Sequence, residues 1–195
     1  MSSPTISLIL DAAVQMRLSA QALAALTPAM TARAAVQALL DARLTADALS
    51  LLARLLPHRY VVAWVCQCAQ REILEARDRA GLELAEAWLR EPDASRQAAA
   101  LAFAHAHRFQ TLGAWLAACA GWSSGNLNPR ADRPTPVPAH LGAIAASTSL
   151  SYLAARVPNQ WDLRRRGFIL EAIGLLDGAH TSGARTHDRI HGDTQ

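Results

Sequence analysis

Lysine is missing from this 195-residue chain, and every one of its 19 basic residues is an arginine. A genome rich in G and C explains that bias more simply than selection for guanidinium chemistry. Acidic residues number 16, so the formal charge is only +3. The sequence pI near 9.1 is therefore no mark of a nucleic-acid binder, which concentrates positive charge on one face. Cysteine is scarce. Cys66, Cys68 and Cys119 form an odd set without framework spacing, which argues against a disulfide scaffold and suits a reducing compartment. No apolar run reaches the roughly 18 residues of a membrane span. The apolar run at 6–10 is cut by Asp11 and no basic region precedes it, so no signal peptide is expected and the protein is placed in the cytoplasm. Valine, isoleucine, phenylalanine and tyrosine are too few for long strands.

What is present is alanine and leucine. Hydrophobic residues make up 51% of the chain, in patterns that suit helices packed closely through small side chains. The predicted fold is all-α, an irregular bundle of about eight to nine short helices in helical hairpins around a central helix near 57–74. That helix follows Pro57, which needs no donor in a first turn. Val61, Val62, Trp64, Val65, Cys68, Ala69 and Ile73 cover most of its circumference, leaving a narrow strip at Arg59, Gln67 and Gln70.

Short helical patterns at 8–18 and 21–26, the second capped by Ser19, come before it, as does a hairpin at 31–56 with Thr31 and Thr45 as caps. After it, Leu82, Ala85, Trp88 and Leu89 mark a helix that Pro92 stops. Asp93 or Ser95 then restarts the chain into a stripe of Ala98, Leu101, Ala102, His105 and Phe109. Thr111 caps a short helix with Leu112, Trp115, Leu116 and Cys119. The stretch at 121–138 is too rich in glycine and proline for continuous helix, and loops of this length are often functional or disordered. A helix through Ala143, Ala146, Leu150, Leu153 and Val157 follows, then one carrying Trp161, Phe168, Ile169, Ala172, Ile173, Leu175 and Leu176. One helical domain is expected at 1–178, with a disordered polar tail at 179–195. The Ala-Trp pairs at 63, 87 and 114 recur at unequal intervals, so no solenoid period holds.

Few groups suggest chemistry. Cys66 and Cys68, two apart on a helix, point about 200° from each other and cannot share one ion. His105 and His107 fail by the same geometry, with only His105 on the apolar face. His187 and His191 are spaced i, i+4 in a glycine-containing tail without a fixed acidic partner. No phosphate loop, nucleophile elbow or paired-carboxylate motif occurs. The expectation is no catalytic residue, no cofactor and no metal. Arg164, Arg165 and Arg166 are the densest charge run, and consecutive helical positions fan them around the axis. Trp122, where a helix gives way to the irregular stretch, either locks that stretch onto the bundle or stands as a binding anchor, and the structural role is favoured.

Three blocks carry a family resemblance. These are Leu56, Pro57, Arg59, Trp64 and Cys66, then Ala87, Trp88, Pro92, Asp93 and Arg96, then Trp115, Trp122, Ser123, Gly125 and Leu127. Over about 8–178 the chain resembles an uncharacterised family of bacterial all-helical proteins whose genes often lie near type VI secretion components, particularly spike and spike-tip genes. The resemblance implies a non-enzymatic accessory, adaptor or loading protein that binds a partner protein, a type VI secretion spike, spike-tip or effector component. No membrane partner is expected. The contact residues expected are Trp122, Ser123, Gly125, Asn126, Leu127, Arg130, Arg133, Arg164 and Arg165. The alternative is a DNA-binding regulator using a helix-turn-helix at 31–56, although its second helix offers only Arg54 and small polar groups to base edges.

Overall fold

Side-chain caps and tight left-handed turns divide the chain into ten helices in the computed structural model, which describes residues 7–123 and 135–177. In chain order these are α1 (Leu8–Gln15), α2 (Ala20–Ala25), α3 (Ala32–Asp41), α4 (Thr45–Leu55), α5 (His58–Gln70), α6 (Ala76–Arg90), α7 (Ala94–Ala106), α8 (Leu112–Gly121), α9 (Ala139–Ala155) and α10 (Trp161–Ala172). The molecule is all-α, as its composition predicts. The predicted tail at 179–195 and most of the irregular stretch lie outside the described residues.

Ser19, Thr31, Asp93 and Thr111 each accept a hydrogen bond from the backbone N–H three residues on, as N-caps do. Thr45 does not cap. The N-cap of α4 is Leu44, and the Thr45 hydroxyl donates instead to Asp162 at 2.7 Å, tying α4 to α10. The C-termini of α1, α3 and α7 share a further device. Arg17, Arg43 and Arg108 stand just past these helices with φ of 53°, 59° and 52°. The next N–H then reaches back five residues, from Leu18 to Ala13, Leu44 to Leu39 and Phe109 to Ala104. These are Schellman closures with arginine where glycine is usual.

Helix α5 is packed on more than one side, with Val61, Val62, Trp64, Val65, Cys66, Cys68 and Ala69 buried. It ends at Gln70, so Ile73 lies beyond it and is 88% exposed rather than on the buried face. The most enclosed helix is α8, where nine of ten residues are buried. It packs against α5, α6, α7 and α9, and alanine and glycine make that possible by letting the backbones approach. A Cβ on Gly81 of α6 would lie 2.0 Å from the Gly113 carbonyl oxygen of α8, and one on Gly113 only 2.6 Å from that of Arg77. At this crossing the buried Asp78 accepts a hydrogen bond from the Gly113 N–H at 2.8 Å. It thus satisfies a donor of the first turn of α8 from another helix.

A contiguous cluster of buried apolar residues extends from Ile9 to Leu176. Helix α10 closes one side of it against α4 and α9, burying Phe168, Ile169 and Ala172. The indole N–H of Trp64 donates to the Phe168 carbonyl at 3.1 Å. Helix α7 buries Ala100 and Ala104, not the expected stripe through Ala98 and Ala102, because a helix with alanine on every side offers the periodicity no contrast.

Candidate interaction surface

The turn after α7 sets two consecutive residues, Arg108 and Phe109, in the left-handed region, with φ of 52° and 54°. That turn aims the Phe109 ring into an aromatic corner. Trp122 stacks on it with centroids 5.2 Å apart and an interplanar angle of 12°, and Trp115 lies 5.5 Å from the same ring. Trp115 and Trp122 meet edge to face at 6.3 Å. Trp122 therefore ties the end of α8 to the α7 turn, while the irregular stretch it is expected to lock onto the bundle lies mostly outside the described residues. The histidines reverse their expected places. His105 is exposed, with its edge to Phe109, while half-buried His107 lies over Phe103 at 4.1 Å and bonds that residue's carbonyl.

Arg164 and Arg165 are not at this corner. They stand on α10, which packs on α4 and α9, whereas α8 is covered by α5, α6, α7 and α9. The two halves of the expected contact surface are thus on different helices, with α9 packed against both. Arg164 pairs with Glu72 and also donates to the Leu153 carbonyl at 3.2 Å. Arg156 reaches the same carboxylate at 3.8 Å and donates to the Ile73 carbonyl at 2.6 Å. These contacts staple the α5–α6 connection to the end of α9 and the start of α10. Arg165 lies over the Trp161 ring at 5.6 Å, and Arg166 points to the Leu40 carbonyl at 3.4 Å. The run fans out as the helical repeat requires. Ser123 is half-buried at the end of α8, and Gly125, Asn126, Leu127, Arg130 and Arg133 lie outside the described residues.

The apolar surface that sequence reasoning passed over is the outer face of α10. Leu163, Gly167 and Leu170 fall at i, i+4 and i+7, one stripe opposite the buried Phe168, Ile169 and Ala172. Leu163 is 68% exposed and Leu170 50%. A Cβ on Gly167 would meet nothing within 4 Å, so a hollow separates two leucine knobs spaced seven residues apart. Arg71, bonded to Glu171 at 2.7 and 2.8 Å, forms one rim. Trp161, expected on the buried stripe, is 56% exposed at the start of this helix. A second apolar site, a cleft of about 620 Å³, lies between Leu8, Ile9, Pro28, Met30 and Leu176, with the Arg33–Asp177 pair at its edge.

On helix α4, the second helix of the predicted helix-turn-helix, Asp47 and Arg54 are engaged from the N-terminal side. Arg54 donates to Gln15 at 2.8 Å, and Asp47 accepts from the Ser19 N–H and hydroxyl at 2.8 and 2.9 Å. Cys66 and Cys68 are buried in α5, and loss of solvent pushes both thiols up to about 12. Among the described residues no three His, Cys, Asp or Glu side chains are grouped to hold a metal, and no helix is long and apolar enough to cross a membrane.

A family model described as a family of unknown function, DUF6931, matches residues 35–176. No curated protein and no solved structure matches the chain.

Proposed function

The chain belongs to the DUF6931 family, a family of unknown function, and from that premise we propose that it is a non-enzymatic adaptor that binds an amphipathic helix of a partner protein along the outer face of α10. One observation carries this reading. Leu163 and Leu170 are exposed on a helix whose opposite face is buried, with an open hollow at Gly167 between them. Two knobs seven residues apart with a hollow between them accept the ridge of a second helix, which is the geometry of helix-in-groove recognition. The stripe also lies wholly within the matched span, whereas the cleft near Met30 is lined mostly by residues outside it. The hydrogen bonds holding Asp47 and Arg54 give the DNA-binding alternative no added support.

The partner we propose is a type VI secretion spike, spike-tip or effector component, met in the cytoplasm before export. This identity rests on the resemblance of the Leu56–Cys66, Ala87–Arg96 and Trp115–Leu127 blocks to a family encoded beside such components.

The test is a pull-down from the native host with the wild-type chain and with Leu163→Glu/Leu170→Glu, whose folding is checked by helical circular dichroism and melting. A secretion component retained by wild type and lost from the variant is the expected result. Equal retention by both overturns the assignment to α10. Recovery of no secretion component overturns the partner's identity.

A further inference from the structure

We propose that His58 is a proton-sensitive clamp that holds the last turn of α8 and the first turn of α9 against the start of α5, and that its protonation in mildly acidic solution lets that junction open. The imidazole Nε2 lies 2.9 Å from the Cys119 carbonyl. That carbonyl is at the C-terminus of α8, where the Trp122 N–H turns to Ala118 and the Ser123 N–H to Ala120. His58 therefore satisfies an acceptor that the helix leaves open. The other edge of the ring is pressed against α9. A Cβ on Gly142 would lie 2.2 Å from the ring Cε1 and 2.7 Å from Nδ1. On the α6 side Trp88 meets the ring edge to face at 5.9 Å. One side chain thus touches the end of α8, the beginning of α9 and the C-terminal part of α6.

The bond to Cys119 requires Nε2 to carry the proton, so the neutral ring presents a bare Nδ1 to the Gly142 backbone. Protonation adds an N–H and a full charge at that edge, in the first turn of a helix whose own dipole already disfavours a cation. Among the described residues no charged side chain compensates. Arg59, next on α5, reaches to the Leu89 carbonyl instead. On α6, Arg90 pairs with Glu86, and Glu91, which follows that helix, pairs with Arg96. The Cys119 thiol of α8 is itself held neutral by burial. Helix α9 carries no acidic or arginine side chain at all, and His140 is its only titratable group besides Tyr152.

Loss of solvent holds the His58 pKa below its ordinary value, against the opposing pull of the Cys119 carbonyl. The sign follows from that direction. The closed junction binds the neutral ring, while an opened one returns it to an ordinary value near 6.5, so closure is fully stable above about pH 6.5 and weakens as pH falls through that value. The opening equilibrium grows by up to about tenfold per pH unit until the closed-state pKa is reached.

Amide hydrogen exchange from pH 7.5 to 5.0, corrected for intrinsic rates, tests the clamp in the full chain. Protection at 119–122 and 142–145 is expected to fall by up to about tenfold per pH unit below about 6.5, with α3 and α4 unaffected. His58→Gln keeps an amide donor for Cys119 without a titrating ring and is expected to abolish the dependence. An equal fall in His58→Gln, no fall in wild type, or a fall spread evenly over all helices overturns the proposal. Should that variant not fold, the ring resonances of wild-type His58 decide. A midpoint below the ordinary value near 6.5 supports the clamp, and one at or above it overturns it.

Discussion

Arg17, Arg43 and Arg108 occupy helix-ending positions that usually fall to glycine. A residue with a Cβ pays about 1–2 kcal/mol for the left-handed conformation, and glycine gives back about 0.5–1 kcal/mol through its freedom in the unfolded chain. All three arginines are exposed. Arg43→Gly is therefore expected to stabilise the protein by about 0.5–1 kcal/mol, read as a higher urea midpoint at unchanged slope. Arg17→Gly lies on a different helix and should add to it nearly independently. Phe109, left-handed beside Arg108, behaves in the opposite sense. Its ring contacts Trp115, Trp122 and His105, so Phe109→Gly relieves backbone strain but removes the centre of the aromatic corner, for a net loss of about 2 kcal/mol. Adjacent residues with the same φ should thus respond to the same substitution with opposite signs. Sequence could not disclose these turns, because the usual helix-stop signal is glycine and here the strain is offset by what the following Leu18, Leu44 or Phe109 packs against.

At the scale of elements, close approach does the work that large side chains do elsewhere. Gly81→Ala drives a Cβ into the Gly113 backbone of α8, which neither helix can vacate without parting, and is expected to destabilise by about 3 kcal/mol or more. Gly167→Ala, on the open face of α10, should raise stability by up to about 1 kcal/mol through helix propensity. Thermal melting of the two variants gives that contrast directly. The same chemistry decides what was legible. Strong stripes such as Leu49, Leu52 and Val61, Val62, Val65 announce α4 and α5, the caps Ser19, Thr31 and Thr111 are legible outright, and Asp93 is one of two candidates for its helix. The enclosure of α8 was not, since Gly113, Ala114, Ala117, Ala118, Ala120 and Gly121 give no hydrophobic contrast. Nor could periodicity tell that Asp78 would be buried, because its partner N–H is 35 residues away. The outer leucines of α10 are legible in spacing, whereas Trp122, an expected contact residue, has its ring absorbed by Phe109. Arg164 is an expected contact residue, and Glu72, which neutralises it, is 92 residues distant.

For the molecule as a whole, the three thiols report how the bundle opens. Cys66 and Cys68 lie in α5 and Cys119 in α8, all buried, and these two helices are in contact within one apolar cluster. Burial also pushes Cys66 and Cys68 up to about 12. Against an ordinary thiol near 8.5–9, that leaves roughly a thousandfold less thiolate at any pH in the neutral range, and the thiolate is the reacting species. Reaction in the native state must therefore proceed through opening. With a neutral aromatic disulfide at pH 8, the unfolded chain should consume three equivalents within seconds to minutes, while the native chain reacts only at a rate set by its unfolding equilibrium. In sub-denaturing urea the logarithm of that rate should then rise with the same slope as global unfolding, since exposing α5 or α8 dismantles their shared core. A single thiol reacting quickly in the native protein, with a shallow urea slope, would show that one of the two helices detaches alone. The close Gly81–Gly113 crossing, the Asp78 bond to Gly113 and the His58 bond to Cys119 hold both ends of α8 to its neighbours, so all three thiols should report the same opening free energy at pH 8, where His58 is neutral.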